Sequence, residues 1–313
     1  MSQQIITSFA VFIAIFLFGI TIMRIGLANL GYERLKQVLI QLTDSPWKGF
    51  IVGIAVTAIL QSSSAVMVIT IGFVAARLLT FQQSIGIILG TNVGTVLTLE
   101  ILALPVESFT IIFLLAGVFL LFLPYHLTYC LGSVSFGLGC VFLAMEGLSN
   151  LAEPLSQIPL ASEIFARTNH SLAFGVGLGT LIAAIIQSST ATTAIAMGFL
   201  EENLLHLPAG IAIMFGANIG TCITAVLASI GARRPAKLVA YAHVWLNILG
   251  VIAFFPFIPL LSEWSASLTE NAALALAHAS FIFNVLCSLF ILPFVSYFAN
   301  FISFVHKKRT DIV

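Results

Sequence analysis

The chain has 313 residues, of which 60% are hydrophobic and only 8% charged, and its formal net charge is zero. A mean hydropathy of +1.12 with so few charges excludes a soluble domain of this size, and the neutral balance gives no ground for a nucleic-acid partner. The apolar segments are long continuous runs, which fit membrane-spanning helices and not the short alternating strands of a barrel.

The first run, 8–30, has the roughly 20 residues a helix needs to cross about 30 Å of hydrocarbon. It follows Met1-Ser2-Gln3-Gln4, which lacks the basic stretch of a secretory signal, so it is read as a span. A polar link, 31–48, closes on Ser45-Pro46. The next apolar run is interrupted by Gln61-Ser62-Ser63-Ser64. Its limbs, 49–60 and 65–76, are each about 18 Å long as helices, enough to reach the middle of a bilayer and stop. The sequence therefore predicts a re-entrant hairpin over 49–76 with the polar box at its tip. The run 81–99 could span, but Gly90-Thr91-Asn92-Val93-Gly94 lies about 15 Å into it and predicts a broken helix. The run 108–123 ends the first half at Pro124.

The second half repeats the plan. The span 131–150 matches the first, with Gly147-Leu148-Ser149-Asn150-Leu151 resembling Gly26-Leu27-Ala28-Asn29-Leu30. A polar link (151–171), a hairpin (172–200), a broken helix (207–230) and a span (238–261) follow. A gapless offset of 126 relates Gly53 to Gly179 and runs on to Thr98 and Thr224. It superposes Gln61-Ser62-Ser63-Ser64 on Gln187-Ser188-Ser189-Thr190, and Gly90-Thr91-Asn92-Val93-Gly94-Thr95 on Gly216-Ala217-Asn218-Ile219-Gly220-Thr221. The expected fold is an all-α polytopic membrane protein with repeats over 1–124 and 125–262 and an additional span over 272–299, giving seven spans and two hairpins.

Charge sets the expected orientation. With Lys307-Lys308-Arg309 in the cytoplasm, that side also holds Arg34, Lys36, Lys48, Arg77, Arg233, Arg234 and Lys237. The other side holds Arg167 with Glu100, Glu107, Glu153, Glu163, Glu201, Glu202, Glu263 and Glu270, so Lys and Arg obey the positive-inside rule. Ala75-Ala76-Arg77 then faces in and Glu201-Glu202-Asn203 faces out, so the repeats are expected to be inverted, with the N-terminus outside. Arg24 and Glu146, the charges well inside helices, are each expected to snorkel to the nearer surface rather than pair. Cys130, Cys140, Cys222 and Cys287 have no metal-type spacing and read as free thiols. Gly72, Gly117, Gly132, Gly137 and Gly139 suit close helix packing.

A single serine in a membrane helix usually bonds back to a carbonyl one turn earlier and means nothing more. Two Gln-Ser-Ser boxes at matched depth ask for more, because unpaired polar groups in lipid are costly. Short helices that meet at mid-membrane aim free N–H groups and positive dipole ends at one spot. The hydroxyls and amides of Gln61, Ser62, Ser63, Ser64, Gln187, Ser188, Ser189 and Thr190 can donate to an oxyanion. Carbonyls freed at the breaks suit a hard cation such as sodium. No Lys or Arg is expected at the boxes, so bound cations must neutralise the anion. No His or carboxylate stands beside the serines as a base, which argues against an enzyme. His243 and His278 read as packing or hydrogen-bonding residues near opposite faces.

The doubled pattern Gln-Ser-Ser-Ser followed by Gly-Thr-Asn-Val-Gly-Thr resembles the type II sodium–phosphate cotransporter family, over nearly the whole chain. Ala242-His243, Asn247 and Pro256-Phe257, and Ala277-His278, Asn284 and Pro293-Phe294, are similar to that family's later helices. The resemblance implies sodium-coupled import of inorganic phosphate by alternating access, in the cell membrane. It implies that the two boxes face phosphate, and that Asn92, Thr95, Asn218, Thr221, Thr192 and Thr193 bind cations or support the hairpins. Its partners would be phosphate, sodium and the lipid bilayer, with a homodimer as the candidate assembly, no cofactor besides sodium, and no transition metal. The sequence departs from the pattern at Thr190, in having no large loop between the halves, and in showing no helical extension after the transport segment. A carrier of another anion, such as sulfate or a dicarboxylate, and a channel or sensor are the alternative readings.

Overall fold

The computed structural model describes residues 2–103 and 109–307, and every regular element among them is helical. Glu107, Lys308 and Arg309, which enter the charge count, lie outside the described residues. Helix α1 (Ser2–Gln41) leaves helical geometry only at Gly31 (φ −170°, ψ 24°), so the predicted polar link 31–48 is largely helix. Ser45 then accepts from Lys48 N, and Pro46 takes a first-turn position whose N–H would be unpaired anyway; α2 (Pro46–Leu60) starts there. It stops where Gln61 turns left-handed (φ 52°, ψ 28°). Ser62 caps α3 (Ser63–Ala75) by accepting from Ala65 N at 3.2 Å. A reciprocal Thr80–Gln83 capping box opens α4 (Phe81–Leu102).

After α5 (Thr110–Leu121) and α6 (His126–Ser156), the predicted link 151–171 is the end of α6 followed by α7 (Pro159–His170). The hairpin geometry then recurs. Helix α8 (Leu172–Ile186) stops at left-handed Gln187 (φ 58°, ψ 31°), and Ser188 caps α9 (Ser189–Glu201) by accepting from Ala191 N at 3.2 Å. The non-glycine residues with positive φ among those described are Gln61, Arg77, Gln187 and Asn203. They form two pairs at the repeat offset of 126. Next come α10 (Leu207–Gly220), the short α11 (Ile223–Ala228), and two long runs that are each interrupted by a 3-10 turn at a Pro-Phe pair. These runs are α12 (Arg234–Phe254) with α13 (Ile258–Leu268), and α14 (Ala272–Ile291) with α15 (Val295–Val305).

Six described stretches are long and apolar enough to cross a bilayer, not the seven expected. The predicted span 108–123 appears as α5, whose 12 helical residues cover about 18 Å. Helix α5 packs antiparallel along the first half of α6, where Gly139 meets Leu114 and Gly132 meets Leu121. Leu99 and Leu102 of α4 lie in the same apolar core as Leu148 and Leu155 of α6, whose start is therefore remote from them. Helices α1 and α6 run antiparallel: Gly147 meets Phe12, Gly137 meets the Gly19 carbonyl, and Gly26 meets the Cys130 carbonyl.

The expected break in the first repeat is absent; α4 is continuous. Its glycines serve close packing instead. A Cβ on Gly86 would strike the Pro46 carbonyl oxygen, one on Gly90 that of Phe50, and one on Gly94 would lie 2.6 Å from that of Ile54. In the second repeat Gly216 and Gly220 admit the carbonyls of Val176 and Thr180 in the same way. The interruption there falls later than expected, at Thr221–Cys222 between α10 and α11. Gly72, by contrast, has nothing within 4 Å of its would-be side chain, so it is not a packing glycine. Gly117, Gly132, Gly137 and Gly139 are in tight contact.

Two apolar cores sit at opposite ends of the long helices. One joins Phe16, Leu99 and Leu102 to α9, α10 and the start of α14. The other joins Leu39, Val52, Val66 and Ile85 to the start of α12 and to α15. Each hairpin thus belongs to one end, and α4, α12 and α14 pass through both. Past that second end, His306 accepts from Trp245 Nε1 (3.0 Å) and stacks on Tyr241, tying α15 to α12.

Gly90→Ala is expected to destabilise the fold by about 1–3 kcal/mol, because the α2–α4 seam must open. Gly72→Ala should instead stabilise it by up to about 1 kcal/mol. Thermal unfolding of the two variants in one detergent compares them directly.

Candidate functional site

Each box divides its labour in the same order. The Gln takes the left-handed turn, the first Ser caps the next helix, and the second Ser becomes that helix's first residue. Ser63 and Ser189 therefore stand at the N-termini of α3 and α9. Both line one central cavity. Asn92 and Thr95 reach it from the middle of α4, Asn218 and Thr221 from the end of α10, and Thr193 from α9. Its lining is completed by Val96, Leu99, His243, Asn247 and Ser280. Its volume is about 20 Å³, room for roughly one water and not for a tetrahedral oxyanion.

Much of the polar lining is already committed. Thr95 and Thr221 donate to the carbonyls of Thr91 (2.7 Å) and Ala217 (2.6 Å). Asn92 Nδ2 donates to Asn247 Oδ1 at 3.3 Å, and Asn247 Nδ2 donates to the His243 carbonyl at 2.9 Å. The hydroxyls of Ser63, Ser189, Thr193 and Ser280 have no partner among the described residues, and neither ring nitrogen of His243 has one. The N-terminal ends of α3 and α9 and the C-terminal end of α10 all meet here, so positive and negative helix-end potentials converge on one space.

Seven of the sequence-predicted residues come together in this cavity: Ser63, Ser189, Asn92, Thr95, Asn218, Thr221 and Thr193. The others do other work. Gln61 is 7% exposed; its side chain accepts from Thr98 Oγ1 and donates to the Ala58 carbonyl, so it does not face the cavity. Gln187 is exposed and shares a separate cavity of about 410 Å³, beside α3 and α11, with Ser64. Ser64 also pairs with Thr224 across the repeats (3.2 Å). Ser62 and Ser188 are consumed as caps, Thr190 is buried within α9, and Thr192 donates to the Ser188 carbonyl.

The expectation that no basic side chain stands at the boxes fails. Arg24 does not snorkel; its Nε donates to the Gln61 carbonyl at 2.7 Å. A carbonyl freed at a left-handed helix end inside a membrane attracts a strong donor. Glu146 is exposed. His243 is 4% exposed and lines the cavity without a side-chain hydrogen bond, so it is not the satisfied core histidine expected. His278 Nδ1 lies 3.0 Å from Glu100 Oε1, joining α14 to α4 away from the cavity. Ser280 escaped the sequence reading altogether. Its only signal was the four-residue spacing to Asn284, which matches that of His243 and Asn247.

A family model described as Na+/Pi-cotransporter matches residues 15–150 and 158–291. The chain is 37% identical over 298 residues to the uncharacterized protein YqeW of Bacillus subtilis (strain 168), covering 95% of this chain and 97% of that one. It is 28% identical over 301 residues to YjbB of Escherichia coli (strain K12), named provisionally as an inorganic phosphate export protein; the match covers 96% of this chain and 55% of that one. The chain thus spans about half the length of YjbB. Over 88 residues it is 36% identical to human sodium-dependent phosphate transport protein 2B, covering 26% of this chain and 13% of that one. No solved structure matches the chain.

The two glutamines have opposite expected tolerances. Gln187→Gly relieves a left-handed residue that holds nothing, and should stabilise by about 1 kcal/mol. Gln61→Gly relieves the same strain but abandons Thr98, and should destabilise by about 1–3 kcal/mol. Thermal unfolding with and without Thr98→Val tests this, since the Thr98 substitution should cost little once Gln61 is gone.

Proposed function

The chain belongs to the Na+/Pi-cotransporter family, and from that premise we propose that it is a secondary transporter moving inorganic phosphate with sodium by alternating access. One observation carries the reading: Ser63 and Ser189, from two boxes 126 residues apart, begin two helices and line one cavity with uncommitted hydroxyls. Two helix N-termini and hydroxyl donors suit a compact oxyanion. Arg24 stands behind the first tip on the Gln61 carbonyl and does not line the cavity. The anion's charge there needs companions, and the carbonyl end of α10 with Asn218 and Thr221 is a fitting place for a hard cation.

Several features support inverted repeats with re-entrant hairpins. Their left-handed tips match at the repeat offset, the hairpins belong to opposite ends, α1 and α6 are antiparallel, and the family match falls in two segments. The end that includes Leu39, Leu79 and Ile302 adjoins Lys36, Arg77 and Lys307, while the other adjoins Glu100, Glu153 and Glu201. We assign the basic end to the cytoplasm and the N-terminus to the outside of the cell membrane. The cavity closes to one water in this conformation, so binding requires the tips to separate. The repeats also differ in state: Thr98 holds Gln61, whereas its mate Thr224 holds Ser64 and leaves Gln187 exposed. Exchange of such unequal halves is what alternating access requires.

Import follows from the inward sodium gradient. Export is the second reading, favoured by the name of the E. coli relative. Phosphate flux in proteoliposomes of known orientation, with sodium, proton and phosphate gradients imposed separately, decides between them. Sodium-driven uphill accumulation is expected, inhibited by arsenate and not by succinate. Ser63→Ala and Ser189→Ala should each lower flux at least about tenfold, the worth of one charge-assisted hydrogen bond, with unfolding temperature unchanged. Wild-type flux in both variants would remove the cavity from the mechanism.

A further inference from the structure

We propose that His243 is the residue that recognises the proton carried by phosphate, and so separates phosphate from sulfate; this rests on the phosphate reading above. His243 sits on α12 with its backbone carbonyl holding Cys222 Sγ and Asn247 Nδ2, which fixes its position in the wall of the central cavity. Its side chain is 4% exposed, and Nδ1 is a buried polar atom without a partner. No other residue donates to or accepts from either ring nitrogen among the described residues.

The chemistry of a neutral imidazole makes that isolation informative. One ring nitrogen carries a hydrogen and the other carries a lone pair, in either tautomer. With the hydrogen on Nε2, the buried and unpartnered Nδ1 carries that lone pair. The free hydroxyls of Ser63, Ser189, Thr193 and Ser280 can rotate to donate to any oxyanion oxygen, so they serve phosphate and sulfate alike. In that tautomer Nδ1 accepts and does not donate. Near neutral pH phosphate keeps at least one P–OH group, which donates to that lone pair. Sulfate has no such hydrogen, and would set an oxygen against the nitrogen. A site that hydrogen-bonds a substrate hydroxyl rejects the analogue without one far more strongly than a site that only fits it. Arsenate carries the same hydrogen as phosphate and should pass.

The test is phosphate and sulfate transport by the wild-type chain, His243→Leu and His243→Asn in proteoliposomes, with unfolding temperatures measured alongside. The wild type should carry phosphate, lose it to arsenate competition, and ignore sulfate. His243→Leu removes the acceptor at similar volume; its half-saturating phosphate concentration should rise at least about tenfold, with sulfate becoming an effective competitor. His243→Asn restores a carbonyl acceptor beside an NH2 donor and should recover part of the preference. If the wild type carries no phosphate, the functional reading and this inference fall together. If the wild type carries phosphate but His243→Leu keeps the same preference over sulfate, the inference alone falls. It also falls if both variants lose maximal rate with affinity and preference unchanged, which is the signature of a purely structural histidine.

Discussion

A helix that stops in the middle of a bilayer leaves carbonyls unpaired at its end and N–H groups unpaired at the start of the next, with no water to take them. In the re-entrant arrangement proposed above, both hairpin tips face this constraint, and the box residues are its answer. A left-handed Gln reverses the chain, and a Ser hydroxyl takes an N–H of the new helix. Ser63 and Ser189, which begin α3 and α9, line one shared cavity. On that proposal, the cost of terminating a helix in lipid becomes the electrostatic character of the site.

The two tips meet the same constraint with different partners. At the first, Arg24 covers the Gln61 carbonyl and Thr98 holds its amide. At the second, Gln187 is exposed, and the residue equivalent to Thr98 has turned to the other repeat. One tip is therefore tied down by long-range hydrogen bonds, while the other is held mainly by burial of α9. Near-symmetric sequence yields an asymmetric set of restraints, so the two halves need not contribute equally to motion.

The all-helical, membrane-crossing character was legible from the long apolar runs, and the matching turns at Gln61 and Gln187 from the gapless offset that relates them. The polar positions that line the cavity were largely legible too, since Ser, Asn and Thr at that depth have few other reasons to be there. The glycines misled. Gly90 and Gly94 look like a helix break, yet a glycine that admits a neighbouring carbonyl leaves the same trace as one that ends a helix. Long-range partners were not legible: nothing near Arg24 in the sequence points to Gln61. Nor was Ser280, a lone hydroxyl on an apolar helix whose role depends on which face of α14 turns inward. The Gln residues were read as ligands because their function as left-handed turns cannot be seen in composition.

The glycine seam between α2 and α4 has a mechanical side. It is main chain against main chain, carbonyls of Pro46, Phe50 and Ile54 lying where side chains would have been. Such a joint has no rotamers to excite. Heat can loosen a contact between leucines by letting them hop, but it can pull these backbones apart only by lifting one whole helix. A rigid joint is thus made from the amino acid that is floppiest by itself, and the same construction recurs between α8 and α10 at Gly179, Gly216 and Gly220.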